Sequence, residues 1–125
     1  KEIKGEAQAE SNYYLAQFEF IQAQFEASNE RIFWMIDNLP TYPQWRWKSL
    51  LLMAKNYAGL QDDFQANYTL DFIIENADFG TLAQEAQQFK ADLALLRERE
   101  AQSTFGVDSL NVEGADLEEL EEIEE

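Results

Sequence analysis

Leu15–Asn38 reads LAQFEFIQAQFEASNERIFWMIDN and Met53–Asn76 reads MAKNYAGLQDDFQANYTLDFIIEN, so that each residue of the first stretch has a counterpart 38 positions on. The agreement is chemical rather than literal. Leu15 answers to Met53, Ala16 to Ala54, Ser28 to Ala66 and Ile32 to Leu70, and the block Met35-Ile36-Asp37-Asn38 answers to Ile73-Ile74-Glu75-Asn76. Self-similarity at a fixed period of this size marks repeats that cannot bury their apolar faces singly and do so by stacking. Such a chain is expected to bind rather than to catalyse.

Working outward, apolar or small residues at Ala9, Tyr13, Ala16, Phe20 and Ala23 recur at helical spacing, which predicts a helix from Gly5 to about Ala23. A second stripe, Phe25, Ser28, Ile32, Met35, Ile36 and Leu39, ends at Pro40, and the turn between the two near Gln22–Gln24 has no glycine to mark it. Thr41 with Gln44 has the spacing of a capping box and Pro43 suits a first turn, so a third helix is expected from about Tyr42 to Ala58, ended by Gly59. Asp62 with Gln65 predicts the start of a fourth helix carrying Phe64, Ala66, Leu70, Ile73, Ile74 and Ala77. Thr81 with Gln84 predicts a fifth, carrying Leu82, Ala83, Ala86, Phe89, Leu93 and Leu96 and stopping by Phe105–Gly106.

Composition narrows the chemistry. The 125 residues include no cysteine and no histidine, which removes the thiolate nucleophile and the commonest neutral-pH base and metal ligand. The net charge is −16, and it is uneven: residues 101–125 hold nine acidic residues and no basic one. An acidic surface repels phosphate backbones, so no nucleic-acid partner is expected. No purely apolar run is longer than the five residues of Leu50–Ala54, which is too short to span a bilayer. The start, KEIKGEAQ, lacks both a methionine and the apolar core of a signal peptide, which suggests a fragment or a processed chain. The end, LEELEEIEE, spaces Leu117, Leu120 and Ile123 three apart among unopposed carboxylates. Residues 106–125 are therefore expected to form an acidic tail, disordered or transiently helical.

The pattern of small residues resembles the tetratricopeptide repeat. Leu15-Ala16, Ser28, Ile32, Met35 and Pro40 match one unit of that family, and Met53-Ala54, Tyr57, Ala66, Leu70 and Ile73 match a second. The resemblance implies an all-α fold, an α-solenoid of antiparallel helix pairs: units at about 6–40 and 42–78, then a C-terminal capping helix at about 81–104. Three features depart from the family. The period is 38 rather than about 34, Glu19 stands where an aromatic or apolar residue is usual, and the second unit closes at Asp78 instead of proline. The long segment PTYPQWRWKSLLLMA, Pro40–Ala54, resembles the C-terminal repeats of large bacterial proteins of this family that lie in or near the cell envelope.

The family's concave surface, projected onto this chain, gives Glu10, Tyr13, Gln17, Phe20 and Ile21 from the first helix and Lys48, Leu51 and Lys55 from the third. The resemblance implies that this surface holds a peptide or protein segment, with Lys48 and Lys55 facing its carboxylates. The plainer reading of the two lysines is that they keep a helix soluble. The family's asparagine–lysine clamp for a C-terminal carboxylate is absent. A second candidate is the aromatic group Phe33, Trp34, Tyr42, Trp45 and Trp47 at the junction of the units, which reads first as packing, though Trp45 and Trp47 cannot both face inward and one of them, taken as Trp45, is expected as a protein contact. The third is the tail, whose Leu117, Leu120 and Ile123 are suited to dock near Lys48 and Lys55 of the same molecule or a neighbour. Asn67-Tyr68-Thr69 spells a glycosylation sequon inside a helix, Asp108-Ser109-Leu110 a short O-glycosylation pattern, and Asp62-Asp63 reads as a cap rather than a cation site.

No glycine-rich loop, nucleophile elbow or metal-ligand spacing accompanies the carboxylates, so no enzyme activity and no cofactor are expected. Two functions of different classes follow. One is a scaffold that binds a peptide or protein segment on the concave face; the other is a structural module that caps a longer solenoid or self-associates through its N-terminal edge.

Overall fold

The computed structural model describes residues 2–39 and 41–113. It is all-α, with helices α1 (Glu2–Ile21), α2 (Phe25–Asn38), α3 (Pro43–Gly59), α4 (Asp63–Asn76) and α5 (Leu82–Glu113). The described residues up to Lys90 form one compact unit and those from Ala91 onward a second, with the division inside α5.

In the first unit the period of 38 is a period of structure. Helices α2 and α4 are each 14 residues long and start and stop 38 residues apart. The turns before them are equivalent: Ala23 and Gln61 lie in the left-handed region with φ of 62° and 64°. At the first, the Ala23 and Gln24 N–H groups donate to the carbonyls of Phe20 and Glu19, and at the second Gln61 and Asp62 donate to Ala58 and Tyr57. This is the Schellman arrangement that satisfies the last carbonyls of a helix, built here without glycine. The ends also agree, since Asn38 and Asn76 each donate an amide hydrogen bond to the carbonyl four residues back.

Small residues set the close approaches. Ala16 and Ala54, Ser28 and Ala66 are all fully buried, one pair where each hairpin's first helix meets its second. Branched and long apolar chains fill the remainder: Ile32 and Met35 in the first hairpin, Leu70 and Ile73 in the second. Helix α1 packs on α2 and α3, α2 on α3, and α3 on α4. Leu51, Ala54, Leu70 and Ile73 share a core with Leu82 and Ala86 from the first turns of α5. Gly59 is required by a close approach, because the Phe25 ring lies 2.6 Å from where a Cβ would stand.

A polar thread crosses the junction of the hairpins. Asn56, fully buried on α3, donates through Nδ2 to Ser28 Oγ at 2.8 Å and Asn29 Oδ1 at 2.9 Å, and Ser28 in turn donates to the Ala16 carbonyl at 2.7 Å. Glu19 is gripped by Arg31, which donates from Nε and Nη2 at 3.1 and 2.8 Å. That bidentate bond raises the Arg31 pKa above its ordinary value.

Three expectations about caps and ends are corrected. The Thr41–Gln44 box does not form: Tyr42 is the N-cap of α3, with no side-chain cap bond, while its hydroxyl is held against Gly5 of α1. At α5, Thr81 Oγ1 donates to the Glu85 carboxylate at 2.8 Å, one residue beyond the expected Gln84. The fifth helix passes Gly106 and runs to Glu113 instead of ending near Phe105. An interior glycine costs only about 1 kcal/mol relative to alanine, and no proline follows Pro43 to forbid continuation. Pro40 and the tail residues Leu117, Leu120 and Ile123 lie outside the described residues.

In the second unit Leu93 is buried, Leu95 and Leu96 are exposed, and Arg97 meets Glu100 at 3.2 Å. Among the described residues no helix is long and apolar enough to cross a membrane.

Candidate functional site

Residues of α1 and α3 that share a helical face come together along a groove of about 300 Å³. Tyr13, Gln17 and Phe20 form its α1 wall, and Lys48, Leu51, Leu52 and Lys55 its α3 wall. The third side is the segment Phe79–Leu82 with Glu85. Gly80 turns the chain there with φ of +58°, a conformation that any side chain would strain. The volume is at the lower end of what small-ligand sites enclose, and the groove suits a few side chains of a larger partner better than a whole small molecule.

Charge in the groove is arranged on aromatic rings. Lys48 Nζ lies 4.9 Å from the centre of the Trp45 ring and Lys55 Nζ 5.7 Å from that of Phe89. Among the described residues neither ammonium has a carboxylate within ion-pair distance, although Arg31 and Lys90 in the same unit are paired, with Glu19 and Asp71. A ring face attracts a cation but leaves its N–H groups open to a further acceptor.

Six of the sequence-derived site residues, Tyr13, Gln17, Phe20, Lys48, Leu51 and Lys55, therefore border one groove. Trp45 does not. It is 6% exposed and packs with Ala9 and Met35, and Trp47 is half-buried, packed against the core of Leu51, Leu70 and Ile73 and stacked on Phe72 with ring centres 5.8 Å apart. Glu10 and Ile21 are exposed but not part of the groove. Phe79, Gly80, Thr81, Leu82 and Glu85 were not foreseen as lining; the turn signal at Gly80 located a helix start, but nothing local says which groove that start closes. Thr69 of the sequon is nearly buried and donates to the Gln65 carbonyl, and Asp62 caps α4 by accepting from the Gln65 N–H.

Tyr13 carries a pH signature. Burial, then the neighbouring Tyr14 and Glu85, raise its phenol above the ordinary 10.0, and burial followed by Asp62 does the same at Tyr57. A raised acid keeps its proton in the folded state while the unfolded chain releases it. The stability that this contributes is whole below about pH 10 and is lost as pH rises further. The urea midpoint is expected to fall from about pH 9 to about pH 11, and less steeply in Tyr13→Phe. Equal slopes in the two proteins would remove Tyr13 from the explanation.

Among the described residues no group of three or more acidic residues could hold a metal ion. Comparison with protein families, with curated proteins and with solved structures finds no match to this chain.

Proposed function

We propose that the first unit is a non-catalytic scaffold, built from two stacked tetratricopeptide-like hairpins, whose groove between α1, α3 and the start of α5 holds an acidic segment of a partner protein. The observation that carries this reading is the pair of lysines: both line the groove, both rest on rings, and neither meets a carboxylate among the described residues. Lys48 and Lys55 are seven residues apart, two turns, or about 10 Å along α3. Carboxylates three residues apart in a peptide held in the polyproline II conformation share one face and lie about 9 Å apart, close to the same distance. Tyr13, Phe20 and Phe79 give such a peptide apolar contacts, and Gln17 and Thr81 can meet its backbone.

A fluorescein-labelled peptide with glutamates three residues apart is the probe. Binding at low salt is expected to weaken at least about tenfold on Lys48→Glu with Lys55→Glu, and to weaken with salt in the parent protein. The far-UV circular dichroism should be unchanged, since both side chains are only half-buried. Equal affinity for the glutamine version of the peptide, or indifference to the double reversal, would refute the reading.

A further inference from the structure

Shifted by 38 residues, α1 falls on α3, with Tyr14 at the place of Leu52, Leu15 at Met53, Phe18 at Asn56 and Ile21 at Gly59. On α3, Leu52, Met53 and Asn56 are at most 5% exposed, because the α1–α2 hairpin covers them through Ala16, Ser28, Asn29 and Ile32. On α1 the equivalent Tyr14, Leu15 and Phe18 are 51, 49 and 55% exposed, and Ile21 is 71% exposed. Ala7 and Ser11 continue that face by a further turn each, and none of the six residues is charged although the chain carries −16. An amphipathic surface helix normally turns polar residues outward, and a contiguous apolar strip of this kind marks a contact.

We infer that the outer face of α1 is a docking surface for a further helical hairpin, one that seats on α1 as α1–α2 seats on α3. The differences between the two helices state the chemistry of the occupant. Phe25 of the first hairpin fits only because Gly59 opposes it, with 2.6 Å left for a Cβ. With Ile21 at that place, the occupant needs a small residue where α2 has Phe25. Ser28 and Asn29 face the amide of Asn56. With Phe18 there instead, the occupant is apolar at those two positions, since an unpaired buried polar group is costly. A branched residue equivalent to Ile32 suits Tyr14 and Leu15 as it suits Leu52 and Met53. A second copy of this chain does not offer such a face. That of its α1–α2 hairpin is spent on α3, and that of α3–α4, with Ala54, Leu70 and Ile73, already carries Leu82 and Ala86.

The test extends the chain by one hairpin. Residues 1–4 are replaced by a copy of residues 5–42 bearing Phe25→Ala, Ser28→Ala and Asn29→Leu, which sets the added hairpin 38 residues ahead of α1. The melting temperature is expected to rise by about 5 °C or more, in one transition, with helical signal added in proportion to the new residues and slower hydrogen exchange in α1. Phe18→Glu in the resident α1 should cancel the gain while leaving the unextended chain folded. A copy that keeps Phe25, Ser28 and Asn29 should gain less. No rise with either copy, or a rise that survives Phe18→Glu, overturns the inference. So does a concentration-dependent dimer of the unextended chain that Phe18→Glu dissolves, because the face would then belong to a second copy.

Discussion

Asn56→Ala is expected to destabilise the protein by about 2–4 kcal/mol, with the urea midpoint lowered and the slope of the transition unchanged. The size follows from what the amide does. Asn56 is fully buried and joins two elements of different hairpins, through Ser28 Oγ at 2.8 Å and Asn29 Oδ1 at 2.9 Å. Alanine leaves the Asn29 carbonyl oxygen without that donor in a site only 5% exposed, and opens a small void beside it. Ser28 keeps its own bond to the Ala16 carbonyl, so the first hairpin is not undone. The partner variant Asn29→Ala should cost less in the Asn56→Ala background than in the parent, by about 1 kcal/mol or more, because the interaction it removes is already gone. Additive costs would show that the thread across the junction is not coupled, and a loss below about 1 kcal/mol for Asn56→Ala would show that it contributes little.

Ile73→Ala is expected to cost about 2–5 kcal/mol, the range for emptying a well-packed aliphatic site. Ile73 has no exposed surface and sits with Leu51, Ala54, Leu70, Leu82 and Ala86, where α3, α4 and the first turns of α5 converge. Relaxation there is limited because Ala54 and Ala86 already bring the helices close. Phe64→Ala on the same helix removes a larger side chain but one that is 76% exposed, and should change stability by less than about 0.5 kcal/mol. Thermal or urea unfolding of the two variants side by side checks this. If Phe64→Ala proved the more damaging, the core would be misplaced on α4.

The helices were legible wherever the sequence repeats itself. A counterpart at 38 residues placed α2 and α4, and the apolar period chose their buried faces, Ser28, Ile32 and Met35 against Ala66, Leu70 and Ile73. The groove walls on α1 and α3 were legible only through the family resemblance, which projects Tyr13, Gln17, Phe20, Lys48, Leu51 and Lys55 onto one surface. What local pattern does not encode is the partner across space. Thr41 had the spelling of a cap, yet α3 starts instead where Tyr42 is held against Gly5, 37 residues away. Trp45 and Trp47 are alike in isolation, and it is the packing of Ala9 and Met35 on the one, and of Phe72 on the other, that leaves the first buried and the second half-buried. The groove's third wall is closed by a turn that nothing in Phe79–Leu82 assigns to it.

The two left-handed turn residues carry a consequence for how the molecule folds. Alanine and glutamine each disfavour that backbone region by about 1 kcal/mol or more, so neither Ala23 nor Gln61 closes its helix pair by local preference. A glycine there would let each pair form early and separately. Without one, each closure is held by the packing around it, and the two pairs are expected to unfold together rather than singly.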